Sequence, residues 1–100
     1  MINSNTAPHI DALVDYSGPG ALAVLPLADY VMSQYPDAVT LTEATAAVQS
    51  VLDVSPPTVA RAWWWVLALR GYIEPVEPIT PDSPMTTNGP DVAHLWVGAL

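Results

Sequence analysis

The chain has 100 residues, of which 51% are hydrophobic and 12% are charged, and it contains no cysteine. This length and hydrophobicity predict one small domain with a modest core, and the lack of cysteine excludes disulfides, thiolate metal sites and cysteine nucleophiles. Two cationic side chains stand against ten carboxylates, which gives a net charge of −8. Such a chain is repelled by phosphate backbones and by anionic membranes.

The first twenty residues are expected to form a flexible N-terminal arm. Residues 1–8 are polar and lack periodicity, residues 9–16 have the apolar spacing of a short helix, and a Ser-Gly-Pro-Gly sequence at 17–20 breaks the chain. No basic segment precedes an apolar one, and the longest apolar run, residues 21–28, falls short of the ~20 residues that span a membrane. We therefore expect a cytoplasmic protein, or one in the host cytoplasm or virion if a phage encodes it.

The main domain is predicted over residues 21–100 and begins with a helix. This first helix should end at Gln34 or Tyr35, because Pro36 follows. Its spacing places three large side chains in the core: Leu27, Tyr30 and Val31. Residues 38–41 are short and partly β-branched, so they suit a small strand between the first and second helices.

The second helix has the clearest start signal in the chain. Thr40 and Glu43 have the spacing of a capping box, in which each side chain accepts a hydrogen bond from a free backbone N–H. The apolar stripe of this helix is predicted to contain Ala44, Ala47, Val48, Val51 and Leu52. Ser55 and Pro56 are typical of the start of the next helix.

The third helix contains three consecutive tryptophans at 63–65. At 100° per residue, the face that should pack on the other helices carries Val59, Ala62, Trp63 and Val66. The opposite face carries Ala60, Arg61, Trp64, Trp65 and Ala68. A helix that is apolar on both faces is usually buried on both. Either a partner protein covers the second face, or the N-terminal segment or C-terminal tail of the chain does.

Prolines dominate the sequence after Gly71. We predict a strand over residues 72–76, a long proline-rich loop over residues 77–91 and a returning strand over residues 92–97.

Residues 38–76 resemble the winged helix-turn-helix superfamily of bacterial and phage regulators. The resemblance rests on three short sequences: Leu-Thr-Glu at 41–43, Val-Ser-Pro-Pro-Thr-Val at 54–59 and Arg-Gly-Tyr-Ile-Glu at 70–74. It implies a mainly α, three-helix domain with a small β-wing formed by the two predicted strands and their loop. Two spacings differ from the family: the second helix is about one turn longer than usual, and the distance from Thr58 to Gly71 is one residue longer.

The resemblance implies DNA binding, for which Thr58 and Arg61 are the candidate residues. However, the third helix presents tryptophan and alanine where a DNA reader carries arginine, lysine, asparagine or glutamine, and the wing has no cation. We therefore favour a non-catalytic protein-interaction or assembly module of a phage-type protein, which binds a partner or a second copy of itself. The partner-binding residues in this hypothesis are Arg61, Trp64, Trp65 and Ala68. A DNA-binding transcriptional regulator is the alternative.

Other chemistry has little support in the sequence. His9, Asp11, Asp15 and His94 have no metal-ligand spacing, and Glu74 with Glu77 suits a solvated strand edge better than acid–base catalysis. No phosphate loop or nucleophile motif is present, so we expect neither an enzyme nor a bound cofactor. An acidic mimic of nucleic acid ranks lower, because the ten carboxylates are scattered.

Overall fold

The structure is a computed structural model that describes residues 7–99, so most of the predicted polar stretch at 1–8 lies outside the described residues. A 3₁₀ helix at Ile10–Leu13 precedes helices α1 (Ala21–Gln34), α2 (Leu41–Gln49) and α3 (Pro56–Arg61), and α3 continues as a π-helix over Ala62–Ala68. The strands are β1 (Ile73–Pro75), β2 (Met85–Thr86), β3 (Gly89–Pro90) and β4 (His94–Trp96). Within residues 7–99 the chain thus forms a mainly helical domain with three helices and two short antiparallel strand pairs. None of the described helices is long and apolar enough to cross a membrane.

Helix α1 begins next to the third helix and ends where the sequence predicts. Gly20 precedes it with a φ of +78°, and a Cβ there would lie 2.6 Å from the backbone nitrogen of Ala62. Only glycine permits this approach without strain. Leu27 and Val31 are fully buried, as predicted, and Tyr30 is half-buried.

The capping box of α2 is confirmed. The Thr40 side chain accepts a hydrogen bond from the Glu43 N–H at 3.2 Å, and the Glu43 carboxylate accepts one from the Thr40 N–H at 2.9 Å. The predicted stripe is wrong at its end, because the helix stops at Gln49 and Val51 is 77% exposed. The residues after Gln49 instead form a turn, in which the Gln49 side-chain amide donates to the Val54 carbonyl at 3.0 Å.

The third helix begins as predicted, with the Ser55 hydroxyl accepting from the Thr58 N–H and proline in the first turn. It then widens, since the N–H of Leu69 bonds the carbonyl of Trp64 and the N–H of Tyr72 bonds that of Leu67, each five residues earlier. A π-helix accommodates an extra residue in this way. The predicted core face is confirmed, with Val59, Ala62, Trp63 and Val66 all fully buried.

The principal sheet pairs β1 with β4 antiparallel, with Ile73 opposite Trp96 and Pro75 opposite His94. On the other edge of β4, Val39 and His94 exchange two backbone hydrogen bonds of 2.9 and 2.7 Å. The two strands predicted on either side of the proline-rich loop are therefore present, although each is shorter than expected. Only Val39 pairs within the short strand predicted at 38–41.

The described part of the expected N-terminal arm packs onto the domain. Leu13 is buried in the core, and the Tyr72 hydroxyl donates to the His9 carbonyl at 2.6 Å. Backbone hydrogen bonds also join Ile10 to Ala99 and Ala99 to Pro8, each at 2.8 Å. The buried side chain of Leu13 and the backbone hydrogen bonds to Ala99 thus hold in place part of the segment that the sequence predicts to be flexible.

Candidate functional site

The three consecutive tryptophans have three different environments. Trp63 is fully buried in the core, Trp64 is half-buried and Trp65 is 64% exposed. Since successive residues of a helix point in different directions around its axis, one helix can place neighbouring indoles in the core, at its edge and at the surface. The predicted outward face is therefore divided, and only part of it faces solvent.

A hairpin within the proline-rich loop covers Trp64. The indole N–H donates to the Asn88 carbonyl at 2.9 Å, and a Cβ at Gly89, where φ is +120°, would lie only 2.8 Å from the indole nitrogen. The Thr86 hydroxyl donates to the Gly89 carbonyl at 2.8 Å and holds the hairpin closed. The sequence predicts Trp64 as a partner contact, but the structure places it beneath the chain's own loop.

His94 is a buried polar side chain that the sequence analysis considers only as a weak metal-ligand candidate. It is 1% exposed, and its ring lies edge to face with Trp63 and Trp64, with centroids 5.0 and 5.5 Å away. Burial lowers the pKa of His94, and the 2.7 Å hydrogen bond between Nδ1 and the Val92 carbonyl opposes that shift. The sequence indicates the burial of His94 only through its place between Val92 and Trp96 on one face of the predicted strand, and all three residues are buried.

Trp65 borders a surface depression together with Tyr16, Pro19 and Arg61, and we call this depression the aromatic hollow. Its volume is about 450 Å³. Arg70 adds to its cationic character, since the Arg70 guanidinium carbon lies 4.9 Å from the centroid of the Tyr16 ring. This distance is typical of a cation–π contact. Arg61 thus lines the hollow beside Trp65, and Arg70 lies against the Tyr16 ring that also lines it.

The other residues predicted on the outward face, or as DNA contacts, differ in their exposure. Arg61 is exposed, Ala68 is half-buried, and the prediction that Ala60 lies on the outward face is wrong, since Ala60 is buried. Thr58, the second candidate for DNA contact, is half-buried, and its hydroxyl lies 2.9 Å from the Ser55 hydroxyl at the start of the helix. Leu69 adds an exposed apolar side chain one turn beyond Trp65.

A second depression lies elsewhere on the molecule. It has a volume of about 430 Å³ and is lined mainly by Met32, Tyr35, Leu95, Trp96, Val97 and Gly98. The Trp96 indole nitrogen is buried and has no hydrogen-bond partner in the described part of the chain. This depression is largely apolar and brings no charged group together with a nucleophile.

Residues 7–99 contain no group of three histidine, aspartate or glutamate side chains placed to hold a metal ion. His9 Nδ1 lies 3.4 Å from an Asp11 carboxylate oxygen, while His94 is enclosed by the two tryptophans. The four residues considered as metal ligands from the sequence therefore do not form one site in the described chain.

Comparison of the chain with models of known protein families, with curated proteins and with solved structures finds no match. The function is therefore inferred from the geometry of the hollow.

Proposed function

We propose that the protein is a non-catalytic protein-interaction module, built on a winged-helix-like frame, whose binding surface is the aromatic hollow. The observation that carries the proposal is the 64% exposure of Trp65 beside Arg61. Tryptophan and arginine are among the side chains most enriched at the energetic centres of protein interfaces.

The order of elements supports the winged-helix-like frame. Val39 lies between the first two helices, and β1 and β4 flank the long proline-rich loop after the third. Val39 and β1 pair with opposite edges of β4. In this proposal the hairpin formed by β2 and β3 corresponds to the wing, and it packs against Trp64 of the third helix.

The energetics of Trp65 favour a partner. Fully burying a large apolar side chain stabilises a complex by roughly 1.5–3 kcal/mol. Most of the Trp65 surface is in water, so most of that free energy is available to binding. Leu69, 70% exposed on the same helix, extends the apolar surface.

DNA binding is the second candidate function, because Arg61 is exposed on the third helix. The net charge of −8 argues against DNA binding, since contacts between cationic side chains and phosphates normally supply much of the affinity for DNA. A gel shift at low salt measures this directly. Binding that falls steeply with added salt and with Arg61→Ala would place DNA binding first.

Site-directed photo-cross-linking tests the proposed function. A photoreactive residue replaces Leu69, which leaves Trp65 intact, and the matched control replaces Val51, an exposed apolar residue after α2. In extract from the source cells we expect a protein adduct at position 69 that disappears with Trp65→Ala, and none at position 51. Equal adducts at both positions, or an adduct that persists in Trp65→Ala, would contradict the proposal.

A further inference from the structure

The structure points to a specific occupant of the hollow, and this inference rests on the proposed function. We infer that the hollow binds residues 76–84 of a second copy of the chain, which we call the acidic proline segment. The two surfaces are complementary in charge, and both carry exposed apolar side chains.

The hollow supplies unpaired cations. Within residues 7–99, the ion pair between His9 and Asp11 is the only one present, so neither Arg61 nor Arg70 is paired with a carboxylate of the described chain. Exposed arginines beside aromatic rings favour a ligand that brings carboxylates together with apolar surface.

The acidic proline segment supplies this chemistry. It contains Glu77 and Asp82 as well as three prolines, and every residue except Ser83 is exposed. Val76 and Ile79 add exposed apolar side chains. Its prolines restrict the conformation of the segment before binding, which lowers the entropic cost of packing against aromatic rings.

The shape of this segment is partly fixed in the free chain. The Ser83 hydroxyl accepts from the Thr80 N–H at 2.9 Å, and the Thr80 hydroxyl accepts from the Asp82 N–H at 3.2 Å. Fixing a ligand in its bound form lowers the entropic cost of association.

A second copy is the occupant because the described part of one chain, residues 7–99, carries both surfaces and leaves the hollow open and the segment exposed. None of the described residues that line the hollow belongs to the segment. Two copies that exchange their segments would form a closed two-fold dimer, in which each hollow is filled by its partner.

Charge reversal separates this local pairing from the overall repulsion between two acidic copies. Arg61→Glu makes each copy more acidic, so weaker association in that variant could arise from either effect. Glu77→Arg makes each copy less acidic, so overall charge predicts tighter association while local pairing predicts weaker association. In an equimolar mixture of the two variants, a mixed dimer has two contacts between hollow and segment. One contact pairs the introduced carboxylate at position 61 with the introduced guanidinium at position 77, and the other keeps the native Arg61 and Glu77. The mixed pair also carries the same total charge as two wild-type copies.

Sedimentation equilibrium of the full chain measures these associations, with circular dichroism confirming that each variant is folded. We expect a wild-type dimer, a dissociation constant raised about tenfold or more by either single variant, and recovery of dimers in the mixture. A monomeric wild type, a Glu77→Arg variant that dimerises as tightly as wild type, or a mixture that stays monomeric would overturn the inference. A monomeric wild type that still cross-links another protein from position 69 would overturn the inference and leave the proposed function standing.

Discussion

Replacing Gly89 with alanine should destabilise the protein through its contact with Trp64. At a φ of +120° a side chain costs about 1–3 kcal/mol in backbone strain. The new Cβ would also lie 2.8 Å from the indole nitrogen, so the indole must move and strain its hydrogen bond to Asn88, worth about 0.5–1.5 kcal/mol. We therefore expect the free energy of unfolding to fall by about 2–4 kcal/mol in total.

A double-mutant cycle with Trp64→Phe isolates the contact, because phenylalanine lacks the indole atoms nearest Gly89. In that background Gly89→Ala should cost about 1 kcal/mol less, a coupling typical of residues in contact. Gly71→Ala is the matched control, since its φ is +84° but its nearest neighbour, Pro8, would be 3.8 Å away. Urea denaturation followed by far-UV circular dichroism gives each free energy. An equal cost of Gly89→Ala in both backgrounds would refute the packing of the hairpin on Trp64.

Three further predictions concern stability. Because folding lowers the pKa of His94, the unfolded chain binds more protons, so the free energy of unfolding should fall as the pH drops below about 6.5. Urea titrations at several pH values should show that the stability of His94→Gln depends less on pH, and the same pH dependence as in wild type would contradict this. Thr40→Ala should lower the free energy of unfolding by about 1 kcal/mol, because it removes the cap of α2. The same titration at pH 7 measures this change, and an unchanged free energy would exclude the cap as a stabilising feature. Trp63→Ala should lower the free energy of unfolding by about 3–5 kcal/mol, and Trp65→Ala by less than about 0.5 kcal/mol, because only Trp63 is fully buried. Thermal or urea unfolding measures both values, and similar losses would contradict the different burial of the two side chains.

Local signals in the sequence predict much of the frame. The capping box at Thr40 and the start of α3 at Ser55 involve residues close in sequence, so their geometry follows from residue type and spacing. The core face of the third helix follows from helical periodicity, and Val59, Ala62, Trp63 and Val66 stay buried although the last three lie in the π-helix.

Long-range contacts explain the differences. The Trp64 indole bonds Asn88, 24 residues away, and a helical wheel contains no information about that hairpin. Tyr16 joins the aromatic hollow because Gly20 brings the start of α1 against the backbone of Ala62, an approach that residue spacing within either segment does not show. Trp65 is predictable because it is large, apolar and outward-facing on the wheel, whereas Tyr16 and Pro19 have no comparable signal.

The π-helix makes the geometry of the proposed binding surface depend on the exact length of the third helix. Each residue of an α-helix turns the chain by about 100°, so a one-residue change in length rotates every later side chain relative to the earlier ones. Arg61 precedes the widened segment Ala62–Ala68, Trp65 lies inside it, and Arg70 follows it. A homologous helix one residue shorter could keep Trp63 in the core and still aim its second arginine away from Tyr16. The angle between the two cations thus depends on a single residue of helix length, even if both arginines and Trp65 are retained.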